Sequence, residues 1–585
     1  MADEHERLHA GALDELRERG VIVVAGGDRP IAVFLHDGDQ VAAVDNRCPH
    51  LGFPLHKGTV KDGLLTCHWH EARFDLCSGC TFDLWADDVP IFETEVRDGN
   101  VYVSPRPKRA EDADHYRRRL VYGLQHGVGL IQAKAILGLR RKGFEWIDVL
   151  REVASFGTQH HDDWSEGMTL LTIAANLRAH LSEETMYHVA LRASRQVAAD
   201  CSDAVPTRKR EPLLEGDPAP ERLSRWLCNW VQTRHRDGAE RVVLTACDRF
   251  GPSAELADIV FTAANERVYA QIGHVFDASN KAFELLDAIG WEQAADMLPL
   301  LMRQTVMAPG AEEDAHWHHP VEVIEPLKNA EATLREMFAA DFGRRETFDA
   351  HLTDVLLGDD PLSIIDALMS SLREGAAPHT LAKQVAYAAA VRLARFAMTN
   401  EVTDWFNPRH TFIFANAVHR AVKRSPTPGV VRGILHAALS VYMDRFLNMP
   451  AARMPGDERL GQLPTDSTAL RRQLLDALDT HADVETTAAM VVRHLRQGHP
   501  RSDLIDVLAF ATSREDLDFH AMQVLEAAVQ QCREWDGGPE TEQIFVAVAR
   551  QLAAFCPTPR AGLQIARIAD RLDRGEKMYE GDAPV

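Results

Sequence analysis

Cys48-Pro49-His50-Leu51-Gly52 and Cys67-His68-Trp69-His70, with sixteen residues between His50 and Cys67, form the stretch on which the reading of this chain turns. A cysteine and a histidine two apart, followed by a cysteine and a histidine three apart, offer two thiolates and two imidazoles. Such donors hold iron-sulfur clusters or zinc. Pro49 stiffens the first loop, and Gly52 lets the backbone turn close to whatever is bound. A tetrahedral zinc site is the competing reading of Cys-x-His and Cys-x-x-His.

The two segments, with Arg73-Phe74-Asp75 and Gly79 behind them, resemble the cluster loops of bacterial Rieske ferredoxins and of the Rieske domain of aromatic-ring hydroxylases. The resemblance implies a [2Fe-2S] cluster bound by Cys48, His50, Cys67 and His70, with two thiolates on one iron and two imidazoles on the other. Exchanging two thiolates for imidazoles lifts the potential to roughly −150 to +300 mV. The cytochrome-complex type carries an extra cysteine in each loop. Here Phe53 and Pro54 follow the first loop instead, which favours the ferredoxin-like, lower-potential kind.

Outward from these loops the sequence reads as β structure. Val21–Val24, Ile31–Leu35 and Val41–Val44 are short β-branched runs, parted by Gly26-Gly27 and Asp37-Gly38. Ile91–Val96, Asp98-Gly99-Asn100 and Val101–Val103 predict a closing antiparallel hairpin. Ala12–Arg19, stopped by Gly20, predicts a helix before the first strand. Residues 1–106 are therefore expected to form a small antiparallel all-β Rieske domain. Ser104–Lys108 reads as a stiff linker into residues 107–585, a large all-α domain.

In that second part the period is close to 3.6. Asp360-Pro361, then Leu362, Ile364, Ile365, Leu368 and Leu372, then Gly375, mark both ends of a helix. Leu381 to Phe396, Ile505 to Phe510 and Ile565 to Leu572 carry the same period. Prolines interrupt it at Pro206–Pro220 and Met449–Pro464. A helical body of this size is expected to place its site between helices.

Composition bounds the function classes. A chain of 585 residues holds more than one core, and a net charge of −23 argues against nucleic acid or an anionic membrane as partner. Besides Cys48 and Cys67 there are seven cysteines, scattered too widely for a secreted disulfide framework. Cys77 and Cys80 make a Cys-x-x-Cys beside the cluster loops and read as free thiols. Neither a signal peptide nor a membrane span is legible, so a cytoplasmic location is expected.

A cluster that carries electrons needs an acceptor. The Asp/Glu-x-x-His-x4-His pattern of ring-hydroxylase iron sites does not occur, so that resemblance stops near residue 105. The helical part instead has histidine-rich neighbourhoods: His160-His161-Asp162-Asp163, with a capping box over Asp163–Glu166; Gly273-His274; His316, His318 and His319; and Asn407-Pro408 with His410, Asn416 and His419. His274-Val275-Phe276 through Ala282-Phe283-Glu284, with His410 to His419 and the early His-His pair, resembles the questin oxidase family, helical proteins of oxidative polyketide ring opening. The family's second central histidine is Ala278 here.

The resemblance implies a non-haem iron environment of His161, His274, His410 and His419 with Glu284, and Fe(II) suits such donors. On a helix His274, Asp277, Lys281 and Glu284 share a face, a stripe that solvent exposure explains equally well. His410 and His419 lie about 180° apart, so both meet one ion only if His410 sits on a distorted first turn. Lys281, if buried, is expected to be pushed towards neutrality. Gly26-Gly27 and Gly127-x-Gly129 lack a dinucleotide fingerprint. A separate NAD(P)H- or flavin-dependent reductase is therefore implied. Two functions remain open: a self-contained oxygenase acting with O2 on an apolar or aromatic small molecule, and an electron-transfer module fused to a helical binding scaffold without a second metal.

Overall fold

The computed structural model describes residues 7–26, 29–109, 111–213, 216, 218–338, 350–480 and 483–576. Gly27 of the expected Gly26-Gly27 turn, and residues 214, 215 and 217 of the Pro206–Pro220 interruption, lie outside them. The fold class is as expected, an antiparallel β domain followed by a helical one. Two compact units emerge, Met1–Glu145 with Gln564–Val585, and Trp146–Leu563.

Among the described residues of the first unit nine strands form two antiparallel sheets. β1 (Leu8–Ala12), β2 (Val21–Gly26), β3 (Arg29–His36), β4 (Gln40–Asp45), β8 (Ile91–Arg97) and β9 (Asn100–Pro107) make a six-stranded sheet in the order β1-β9-β8-β4-β3-β2. β5 (Thr59–Lys61), β6 (Leu64–Thr66) and β7 (Arg73–Asp75) make the smaller one. The hairpins turn on Asp37-Gly38, Asp62-Gly63 and Asp98-Gly99, with φ of 43° and 88°, 52° and 72°, and 48° and 72°. Both residues of each pair are left-handed, the conformation whose twist suits a two-residue hairpin.

Alternation along β3 divides the core. Ile31 and Val33 pack with Leu16, Val101 and Val103, under the helix α1 (Leu13–Arg19). Ala32 and Phe34 face the other way and pack with Leu55, Leu65, Phe74, Cys48 and Cys67. The large sheet is thus buried on both faces, and the ligand cysteines sit in the layer between the sheets.

Two local expectations are corrected. Leu8–Ala12 precedes α1 as a strand, paired with β9 through His9 and Tyr102. The supposed linker is mostly strand as well, since β9 runs on to Pro107, which faces Phe92. A register shift between Phe92 and Thr94 takes up the irregularity, so the prolines do not break the ladder.

Two helices, α2 (Ala113–Gln125) and α3 (Gly129–Arg141), and the closing helix Ala561–Asp573 from Gln564 onward belong to this unit. Arg29 of β3 pairs with Glu111 at 3.1 Å, and Tyr122 of α2 donates to the Leu84 carbonyl at 3.2 Å.

Among the described residues of the second unit every regular element is helical. Local signals give their ends. Asp360 caps Pro361–Arg373 by accepting from Leu362 N–H at 3.0 Å. At the early His-His segment the cap is Ser165, accepting from Met168 N–H at 3.3 Å, whereas Asp163 takes Trp164 N–H at 2.9 Å.

We place the boundary of the cluster-holding β fold at residues 106 and 107. A fragment ending near residue 106 is expected to be soluble and to bind the cluster, because its two sheets close on their own cores. Solubility restored only when the fragment extends to residue 145 would show that α2 and α3 are needed to complete it.

Candidate metal centres

The two ligand loops are built alike. Cys48 N–H donates to the Phe53 carbonyl at 2.8 Å, and Gly52 N–H closes the turn on the Cys48 carbonyl at 2.7 Å. In the second loop Cys67 N–H donates to Ala72 at 2.8 Å, and Glu71 N–H returns to Cys67 at 3.0 Å. Gly52 and Glu71, each four residues after its cysteine, are left-handed at φ of 75° and 63°. These turns aim backbone N–H groups at the sulfurs, those of His50 and Leu51 at Cys48 and those of Trp69 and His70 at Cys67. Such hydrogen bonds stabilise thiolate ligands and tune a cluster's potential.

Both cysteines are buried, with their thiols against each other, while His70 is exposed and His50 half-buried. The imidazole rings meet edge-on at 4.8 Å, and His50 packs on Trp85 at 4.6 Å. Hydrogen bonding to Cys48 draws the Cys67 thiol down to about 6, and that contact with burial pushes Cys48 up. Burial, then the neighbouring His70 and Lys134, lowers His50 to about 4. An open cavity of about 420 Å³ lies beside the histidine edge, lined by Thr66, Cys67, His68, His70, Arg73 and Trp85. Sulfurs inward and imidazoles outward fit a two-iron cluster whose histidine-bound iron faces the surface. Cys77 and Cys80 are exposed free thiols nearby.

The second unit holds a different centre. Among the described residues, His274, His410 and His520 are the one group of three or more potential ligands whose donor atoms lie within 4.8 Å of one another. His520 Nε2 lies 2.9 Å from His410 Nε2 and 3.5 Å from His274 Nε2. Burial above all, reinforced by the neighbouring imidazoles, lowers His274 to about 4 and His410 to about 2. The imidazoles are therefore neutral, the form that binds metal. His520 Nδ1 lies 3.6 Å from Asp518, which is also ion-paired to Arg409. A carboxylate behind a ligand imidazole is a common orienting partner.

Of the five second-metal residues expected from the sequence, the structure brings together His274 and His410. His161 instead turns Nδ1 to the Asp163 carbonyl at 2.8 Å. Glu284 and His419 lie ten and nine residues beyond their helix partners, about 15 and 13 Å along the axis. His419 meets Gln531 at 3.0 Å. The distorted first turn invoked for His410 is unnecessary, because the third imidazole beside His274 and His410 is His520. Its sequence signal was Asp518, an N-cap two residues earlier, followed by polar residues at His520, Gln523, Glu526 and Gln530.

Those residues oppose the His274 stripe. The His274 helix (His274–Ile289) and the His520 helix (Phe519–Glu534) join through His274–His520, Asp277–Gln523 and Glu284–Gln530, all 246 residues apart, and Lys281–Glu526, 245 apart. A constant offset means parallel helices. The His410 helix (Phe406–Arg424) runs parallel too, because Arg420 pairs with Glu284 at an offset of 136, the separation of His410 from His274. His274 and His520 stand at N-terminal ends, where helix dipoles disfavour imidazolium and favour an anion, and His410 lies one turn into its helix.

The stripe that solvent exposure would have explained equally well is buried at Asp277, Lys281 and Glu284, and Lys281, 1% exposed, faces Glu526, 0% exposed. Lys281 donates to Glu284 at 2.9 Å and to Glu526 at 2.7 Å, and Asn176 donates to both carboxylates at 2.9 Å. Desolvation opposes the ammonium, yet the two carboxylates outweigh it and Lys281 is raised rather than neutralised. Glu284 is held low by Lys281 and Arg420 against its own burial, while burial raises Glu526. Burial also pushes Asp277 up to about 7.

The backbone before His274 is forced. Tyr269, Gln271 and Ile272 have φ of 46°, 49° and 51°, followed by Gly273 at 91°. A left-handed β-branched residue is a genuine outlier, and each such residue costs about 1–3 kcal/mol. Gly273 is required twice over, since a Cβ there would meet Phe414 Cβ of the His410 helix at 2.8 Å. The strained turn seats His274 against His410.

Residues 6–92 match the Rieske [2Fe-2S] domain. Ferredoxin CarAc of Metapseudomonas resinovorans is 34% identical over 88 residues, covering 14% of this chain and 77% of that protein. The anthranilate 1,2-dioxygenase ferredoxin subunit of Burkholderia cepacia is 32% identical over 95 residues, 16% of this chain and 87% of that one. A 4beta-methylsterol monooxygenase of Methylococcus capsulatus is 39% identical over 66 residues, 11% of this chain, which spans only 18% of that enzyme's length. Through residues 6–92 the chain belongs to the Rieske family, and these residues carry a [2Fe-2S] cluster. Among the described residues no helix is long and apolar enough to cross a membrane.

Cys48→Ser or His70→Ala is expected to abolish the Rieske-type EPR signal of the reduced protein while leaving its helical circular dichroism intact; an unchanged signal in either would refute the ligand set. Lys281→Met leaves the buried Glu526 without its cation and Glu284 with Arg420 alone. Denaturant unfolding should show the second unit destabilised by about 3–5 kcal/mol, and a change under 1 kcal/mol would mean the seam is not closed as described.

Proposed function

We propose that this chain, a member of the Rieske family through residues 6–92, is an oxygenase that carries its electron donor and its oxygen-activating metal in one polypeptide. Cys48, His50, Cys67 and His70 would hold the [2Fe-2S] cluster, which would supply electrons drawn from a separate NAD(P)H- or flavin-dependent reductase, and His274, His410 and His520 would hold a mononuclear iron as their acceptor. The substrate class that suits the apolar helical body is an apolar or aromatic small molecule. The observation that carries the reading is the convergence of three neutral imidazoles through Nε2, backed by Asp518 and met by two helix N-termini. Imidazole suits iron, copper, nickel and zinc. Iron is the metal proposed because a Rieske donor calls for a redox-active acceptor.

Bound at this triad, iron would supply one-electron and O2 chemistry, with coordination positions left open by only three protein ligands. The protein groups have their own parts. Burial keeps the imidazoles unprotonated near neutral pH, Asp518 orients His520, and the N-terminal dipoles stabilise negative charge developing in front of the triad. Asp277, three residues after His274 and with a pKa of about 7, is the nearest group on that helix face able to give or take a proton at neutral pH. The questin oxidase-like likeness of the His274 and His410 segments supports the same class of chemistry, oxidative attack on a ring.

Anaerobically purified protein is expected to contain three irons and two acid-labile sulfides per chain, and His520→Ala two of each with an unchanged cluster spectrum. Two irons in the unaltered protein would favour the electron-transfer module on a metal-free scaffold. Two irons and one zinc would leave the triad as a metal site but remove its oxygen chemistry.

A further inference from the structure

Lys134 lies beyond the residues that match the Rieske domain, on α3, yet its ammonium reaches the first ligand loop. Nζ donates to the carbonyl of Pro49, the residue between Cys48 and His50, and lies 3.2 Å from Asp87 Oδ2. Arg119 of α2 takes the other carboxylate oxygen of Asp87 at 2.6 Å. Lys134 and Asp87 are 21% and 20% exposed, so water screens them only in part. Asp87 follows two residues after Trp85, the ring on which His50 packs.

The three side chains carry two positive charges and one negative. A net positive charge is thus fixed against the backbone that links a thiolate ligand to an imidazole ligand. Reduction adds one electron to the cluster, and a fixed cation nearby favours the state with more negative charge. Net charge and burial around a cluster are among the levers that set its potential. The hydrogen bond to Pro49 also pins the loop, so the charge cannot drift from the cluster. Both α2 and α3 supply groups that the β fold by itself lacks.

We propose that Lys134 is a positioning residue for the Rieske centre: its charge, moderated by Asp87 and Arg119, raises the reduction potential of the cluster above that set by residues 6–92. The proposal rests on the cluster alone and is independent of the second metal.

The test is a spectroelectrochemical titration of the full-length protein, with cluster loading checked by EPR and visible circular dichroism. Lys134→Gln is expected to lower the midpoint, Asp87→Asn to raise it, and Lys134→Arg to keep it near the unaltered value. An unchanged midpoint in Lys134→Gln overturns the proposal. So does a fall in Lys134→Arg as large as that in Lys134→Gln, which would make loop shape rather than charge responsible. Should Lys134→Gln fail to hold its cluster, Asp87→Asn decides, and an unchanged or lowered midpoint there overturns it.

Discussion

A lysine ammonium almost without access to water has to be met by carboxylates, and in this protein Lys281 imposes that requirement on the helical body. Desolvating an ion costs several kcal/mol and is offset only by close, well-aligned partners. Glu284 supplies one from the same helix, and Glu526 supplies the other from a helix distant in sequence. Sliding the His520 helix by one residue would rotate Glu526 by about 100° and move it about 1.5 Å, leaving the charge unmatched. The pairs at an offset of 246 on either side hold the same register. With register fixed, the N-termini of the helices arrive together, and so do His274 and His520.

The cluster loops and the histidine triad both use backbone that ordinary residues avoid. Gly52 and Glu71 curl the two cluster loops so that amides point at sulfur. Gln271, Ile272 and Gly273 do a comparable job at the triad, ending a left-handed turn on the residue before His274. Local strain of this kind persists only where packing over-determines it. At the triad the packing is the contact of Gly273 with Phe414. At the cluster it includes helices that are not part of the β fold, through Lys134 and its partners.

Much of the β domain was legible because its signals are local. Asp-Gly turns, period-two runs and a four-ligand motif report on their own neighbourhoods. β1 escaped because Leu8–Ala12 holds no β-branched residue and becomes a strand only by pairing with β9, some ninety residues away. The helices were legible from their period and caps, but their neighbours were not. His274 and His410 stood out beside Gly273 and Pro408, whereas His520, marked in the sequence by no more than the Asp518 cap and a polar stripe, gains its meaning from partners 110 and 246 residues away. A charged stripe at helical spacing looks the same whether water or another charged stripe faces it. That is why solvent exposure explained Lys281 and Glu284 as well as burial did. It is also why the neutral lysine expected from burial alone failed, since the second carboxylate comes from another helix.

The account stands on two metal centres in one chain, each held by the residues assigned to it. Anomalous diffraction from crystals of the full-length protein, collected on both sides of the iron edge, tests this most directly. Iron density is expected between Cys48, His50, Cys67 and His70, with a separate single-iron peak where the Nε2 atoms of His274, His410 and His520 meet. Iron at the cluster with nothing at the triad would contradict it.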